Sequence, residues 1–167
     1  SKDELEIEAL EKEIVACNVV WRVEEGFAKI AQLEQLSRPD DHLTQQFILR
    51  SKVLLGKLIR QYTSEEQLQL LMQAIQLTVP SFLLDEIEGH LYTKDEIKII
   101  NQIANVYSDS GNNKKAADIF YQLLKYVRKH YQETITSTGI LPLILYNYAR
   151  VLDLCGRYEE GAQLALE

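Results

Sequence analysis

An all-α fold, arranged as a right-handed superhelical solenoid of about four antiparallel helix pairs, is predicted by three features of the sequence. Apolar residues recur at intervals of three and four, as a helix burying one stripe requires, and no stretch alternates in the manner of a half-buried strand. Proline stands only at positions 39, 80 and 142, so long segments are free of helix breakers. One pattern of large and small residues returns along the chain at spacings of 45 to 48 residues, the mark of stacked repeats.

The spacing predicts helices over 3–17 and 20–36, 42–61 and 64–77, 93–110 and 113–131, and 138–155 and 158–167. These form pairs at about 3–36, 42–77, 93–131 and 138–167 within one repeat domain covering 1–167. The first helix is acidic and amphipathic, beginning SKDELEIEALEKE. The fourth and fifth open on what read as capping boxes, Ser64 to Gln67 and Thr93 to Glu96, in which a hydroxyl and a longer polar side chain satisfy orphan backbone donors. LTVPSF at 77–82 joins the second pair to the third. SDSGNN at 108–113 and CGR at 155–157 read as tight turns, glycine being the residue that best tolerates the left-handed conformation after a helix.

The template is clearest in the third pair, where Ile103, Ala104, Tyr107, Ala116, Phe120 and Leu123 set the intervals. Its expected counterparts in the second pair are Leu55, Gly56, Ile59, Leu68, Met72 and Ile75; in the first, Leu10, Ile14, Val23, Phe27 and Ile30; in the fourth, Tyr148, Ala149, Leu152, Gly161 and Ala165. The small residues Gly56, Ala104 and Ala149 are expected where two helices approach closely, and the large ones between successive pairs.

Composition bounds the function. With 46% hydrophobic residues the chain has ample material for a continuous core, and its net charge of −7, from 18 Lys plus Arg against 25 Asp plus Glu, gives no overall attraction to a phosphate backbone or an anionic membrane. Any DNA contact requires another segment. Cys17 and Cys155 fit a reducing, cytoplasmic setting better than a disulfide framework. The longest apolar run, ILPLILY at 140–146, is far below the roughly 18 residues of a membrane span. The N-terminus lacks a signal-peptide core, and the start at Ser1 with a stop inside a helical pattern is expected of a piece of a longer protein. His42, His90 and His130 are scattered without a second ligand at helical spacing, DEIEGH at 85–90 reads as a solvated loop, and no nucleophile motif or phosphate-cradling loop occurs. No enzyme, cofactor or metal is expected.

The order Ile103, Ala104, Tyr107, Gly111, Ala116, Phe120 resembles the tetratricopeptide repeat, with spacings longer than that repeat's usual ~34 residues. TKDEIKIINQIANVYSDSGNNKKAADIFYQLLKYV (93–127) followed by ILPLILYNYARVLDLCGRYEEGAQLALE (140–167) is similar to the C-terminal repeat domain of bacterial Xre-type helix-turn-helix regulators, the wider group that includes the Rgg, PlcR and NprR peptide sensors. The resemblance covers essentially the whole chain and is strongest from 93 onward. It implies a homodimerising domain whose concave surface receives a short peptide. DNA would be bound only by an N-terminal domain which, like the last repeats, is absent from this chain.

It further implies that the first helix of each pair lines the concave face. On the template this stacks Lys12, Lys57, Asn105 and Arg150 in a polar ladder, preceded by Glu8, Val53, Asn101 and Tyr146 and followed by Val15, Arg60, Ser108 and Asp153. Asparagine both donates to and accepts from an extended peptide, while lysine and arginine hold carboxylates. The candidate peptide-binding residues are therefore Lys12, Lys57, Asn101, Asn105, Tyr146, Asn147 and Arg150. Asn147, beside the ladder, serves equally well as a tie between helices, and any exposed helix face is polar. Tyr107, Phe120, Tyr148 and Met72 are expected in the core; Tyr121, Tyr126, Tyr131 and Tyr158 form either an outer aromatic patch or packing between repeats. The function expected is peptide or protein binding and dimerisation within a bacterial transcription regulator. The alternatives are a ligand-free scaffold or dimerisation module and, last, the repeat domain of a response-regulator phosphatase.

Overall fold

The computed structural model describes residues 1–131 and 139–165, and among these every extended regular element is helical, with no strand. The helices are α1 (Lys2–Val19), α2 (Val23–Leu36), α3 (His42–Leu58), α4 (Ser64–Gln76), α5 (Lys94–Asp109), α6 (Asn113–His130), α7 (Ile140–Leu154) and α8 (Tyr158–Ala165), with a short 3-10 turn at Ile87–Gly89. Position 138, residues 166–167 and the side chain of Ala165, all included in the predicted fourth pair, lie outside the described residues. The fold is all-α and built of antiparallel helical hairpins. It divides into two compact units, Ser1–Pro80 and Ser81–Glu167.

The helix starts follow from local chemistry. Thr93 caps α5 and Glu96 reaches back to the Thr93 N–H at 2.7 Å, the predicted capping box. At α4 the box sits one residue earlier than expected: Thr63 is the cap and Glu66 its partner, with Ser64 already in the helix. A third box, Ser1 with Glu4, starts α1.

All four hairpins turn by the same device. A residue in the left-handed conformation follows the first helix, and the next N–H bonds back to a carbonyl five residues earlier: Arg22 to Cys17 at 2.9 Å, and Gln61 to Gly56, Asn112 to Tyr107 and Arg157 to Leu152, each at 2.8 Å. In the last two turns the left-handed residue is Gly111 (φ 91°) or Gly156 (φ 76°), but in the first two it is Trp21 (φ 61°) and Arg60 (φ 54°). These shared bonds define the true register. Cys17, Gly56, Tyr107 and Leu152 are equivalent, where the sequence template placed Ile14, Ile59, Tyr107 and Leu152. The first hairpin therefore turns three residues later than expected and the second three earlier.

Burial follows the turns. In α2 the residues enclosed are Gly26, Ile30 and Leu33, while the expected Val23 and Phe27 are only partly covered. In α4 they are Leu71, Ala74 and Ile75, with Leu68 and Met72 partly covered. Ile59, expected in the core, caps the end of α3 and is 54% exposed. A Cβ on Gly26 would meet Leu55 Cδ1 at 2.7 Å and Cys17 Cβ at 3.3 Å, so this glycine marks the close crossing in the first unit. Gly56 instead admits the Tyr62 ring from the turn, whose Cε2 would lie 2.6 Å from an added Cβ.

The first unit closes on Leu10, Ile14, Ile30, Leu33, Ile48 and Leu55. Buried Gln46 of α3 donates to the Ala74 carbonyl and the Thr78 hydroxyl, both at 2.8 Å, tying down the end of α4. In the second unit Tyr126 of α6 and Tyr131, just past its end, clasp the irregular segment that precedes α5. Tyr126 Oη accepts from the Tyr92 N–H at 2.8 Å, Tyr131 Oη donates to the Tyr92 carbonyl at 2.6 Å, and the Tyr92 and Tyr126 rings meet edge to face at 5.0 Å. Tyr126 is thus core, and only Tyr121 and Tyr158 of the suggested outer patch are strongly exposed. Phe120 and Tyr148 are buried and stacked, as expected; Tyr107 is partly covered.

Candidate functional site

In the second unit α5 and α7 are the first helices of neighbouring hairpins, and their polar residues meet side by side. Asn147 Nδ2 donates to Asn101 Oδ1 at 3.1 Å, and Arg150 Nη2 donates to Asn105 Oδ1 at 3.3 Å. Asn101 and Asn147 are buried, Asn105 and Arg150 half-buried, and Tyr146 stands out from the same helix at 70% exposure. Four of the predicted residues thus come together as two bonded pairs, with the Asn105–Arg150 pairing that the repeat register anticipates.

The chemistry of the pairs is unsaturated. Each asparagine amide offers two donors and an acceptor with two lone pairs. The bonds above use one Nδ2 hydrogen of Asn147 and the Oδ1 atoms of Asn101 and Asn105, leaving the amide donors of Asn101 and Asn105 and the carbonyl of Asn147 for another partner. Among the described residues Arg150 bonds a neutral amide, that of Asn105, and a guanidinium so placed keeps donors for an anionic group. Such a face suits a ligand that alternates N–H and C=O groups.

Lys12 and Lys57 lie in the first unit. Lys12 is exposed on α1 and pairs with Glu8 at 3.3 Å, and Lys57 is exposed in the last turn of α3. On the turn-based register neither is the counterpart of Asn105 and Arg150; Val15 and Leu54 are. These two border a small apolar pocket between α1 and α3, together with Ile14, Phe47 and the polar Asn18 and Arg50. Sequence reasoning missed this pocket because the turns that set its register carry Trp21 and Arg60 where glycine would have announced them. Among the described residues no cluster of His, Cys, Asp or Glu is arranged to hold a metal ion, and no helix is long and apolar enough to cross a membrane.

Helical hairpins with a common left-handed turn and a small residue at the crossing, such as Gly26 or Ala116, define a tetratricopeptide-like repeat fold. No protein-family profile and no curated protein sequence matches the chain. Among solved structures the chain is similar to Bacillus thuringiensis PlcR, crystallised in complex with the peptide PapR7 and DNA, with a TM-score of 0.72 and 21% identity over 98% of this chain. The match covers 54% of PlcR, so the chain spans about half the length of that neighbour. A Podosopora anserina putative kinesin light chain with nearly identical TPR-like repeats aligns at a TM-score of 0.46 and 13% identity, over 96% of this chain and 91% of that one.

Proposed function

We propose that this chain is the regulatory repeat domain of a bacterial helix-turn-helix transcription regulator of the Xre type, and that it binds a short peptide along α5 and α7. The observation that carries this reading is the pair of cross-helix bonds, Asn147 to Asn101 and Arg150 to Asn105, which hold three amides and a guanidinium in a row with donors and an acceptor unspent. Support comes from PlcR, which shares the fold and was crystallised with a peptide and DNA.

In this reading Asn101, Asn105 and Asn147 bond the peptide backbone, Arg150 holds a carboxylate, and Tyr146 covers an adjoining side chain. Lys12 and Lys57 add positive charge on the first unit. The domain is a cytoplasmic, non-enzymatic homodimer, and DNA is contacted by a separate helix-turn-helix segment. Peptide binding shifts the population between two arrangements of the dimer and thereby the spacing of its DNA-binding heads.

The test is selection of heptapeptides from a random library on the immobilised chain, followed by calorimetry. Replacing Asn105 by alanine removes a backbone hydrogen bond and the partner of Arg150, so the selected peptide binds roughly tenfold more weakly. Unchanged affinity removes the assignment. A ligand-free scaffold is the second reading, favoured by the mutual bonding of buried Asn101 and Asn147, which also serves as a tie between hairpins. Failure of every selected peptide to compete in solution supports it.

A further inference from the structure

We propose that the first unit carries a docking site, separate from the peptide face, for a partner segment presenting a lysine or arginine beside an aliphatic residue. α2 and α4 both pack on α3 and leave between them an open cleft of about 410 Å³. This lies within the roughly 300–1,000 Å³ range of ligand sites. Its α3 floor is Gln45, Ile48, Leu49 and Lys52, a stripe at helical spacing on the opposite side of the helix from Phe47, Arg50 and Leu54. The cleft therefore opens on the side of α3 away from the small apolar pocket between α1 and α3.

The occupant's chemistry follows from what surrounds that floor. Ile48, Leu49 and Leu77 supply an apolar surface, and the rim is rich in acceptors. α2 ends at the cleft, beside Ser37 and Pro39, and among the described residues no backbone N–H takes the carbonyls of Glu34, Gln35 and Leu36. α4 also ends there, at Gln73 and Leu77, and neither helix has a basic residue in its last turn to offset the negative end of its dipole. Gln45 spends its Nε2 on the Arg38 and Pro39 carbonyls, both at 2.9 Å, which leaves its Oε1 as a further acceptor. Lys52 is the one cation among the lining residues and is held by Glu34 at 3.3 Å. A cationic group flanked by aliphatic carbon matches both surfaces. An acidic one meets two helix C-termini, with the single lysine of the lining already engaged by Glu34.

The experiment uses the isotopically labelled full chain and two probes, acetyl-Leu-Leu-Arg-amide and acetyl-Leu-Leu-Glu-amide. The expected result is amide shift changes confined to Leu49, Lys52, Gln73 and Leu77 with the arginine peptide and none with the glutamate peptide. Glu34→Gln weakens that binding roughly two- to fivefold, the scale of one charge at a helix end. Leu77→Lys supplies the cation from within and abolishes it. Equal shifts with both peptides, no shift, shifts centred on Asn105 and Arg150, or the same amides shifting on self-association without peptide would each overturn the proposal.

Discussion

Replacing Tyr126 by phenylalanine removes one oxygen atom and leaves the shape of the side chain unchanged. That oxygen accepts the N–H of Tyr92 at 2.8 Å. Tyr126 is 1% exposed and Tyr92 5%, so no water takes its place. A buried donor left unsatisfied costs about 1–3 kcal/mol, more than the ~1 kcal/mol net worth of an ordinary hydrogen bond. Tyr131 is the internal comparison. Its hydroxyl donates to the Tyr92 carbonyl at 2.6 Å, and the residue itself is only half-buried; a carbonyl that loses one donor is left less costly than a buried N–H without any acceptor. Tyr131→Phe is therefore expected to cost about 0.5–1 kcal/mol. Urea denaturation followed by circular dichroism measures both, with an unchanged slope required for the comparison. If Tyr126→Phe costs no more than Tyr131→Phe, the aromatic clasp does not hold the segment before α5, and the packing argument for the second unit fails.

Two further outcomes are expected. Burial pushes the hydroxyls of Tyr62, Tyr92, Tyr131 and Tyr148 above the usual tyrosine value of about 10. Since the folded chain keeps these protons longer than the unfolded chain, their contribution is complete below about pH 10 and is lost as pH rises beyond it. The urea midpoint should be flat from about pH 7 to 9 and fall above 10, less steeply in Tyr92→Phe; an equal fall in that variant contradicts the assignment. Alanine at Asn101 or Asn147 leaves a buried amide partner unsatisfied and should cost about 1–3 kcal/mol, while the double variant costs about 1 kcal/mol less than the sum. Strict additivity in that cycle would mean the cross-helix bond contributes nothing.

The helices were legible in the sequence because apolar periodicity and capping hydroxyls are local signals. Their register was legible only where the turn used glycine. Gly111 and Gly156 announce the turns of the second unit, and there Asn105 and Arg150 align as the template requires. Trp21 and Arg60 occupy the same left-handed position in the first unit without any local mark. A template matched on large apolar residues accordingly slipped by three, nearly one helical turn, which keeps an apolar stripe roughly in phase and so conceals the error. The same slip assigned Lys12 and Lys57 to positions that belong to Val15 and Leu54. The box at Thr63 lies one residue before the expected one because Thr63 and Ser64 are both good caps, each followed three residues on by a Glu or Gln, and spacing alone does not choose between them. The clasp of Tyr92 by Tyr126 and Tyr131 joins residues more than thirty positions apart, beyond any spacing rule.

The proposed function puts a peptide on α5 and α7, bonded directly to the asparagine amides. The side-chain Nδ2 resonances of Asn101, Asn105 and Asn147 in an isotopically labelled sample, followed during titration with a library-selected heptapeptide, test this most directly. All three are expected to move together and to saturate at one peptide per chain. Saturable binding that leaves those three resonances in place would contradict it.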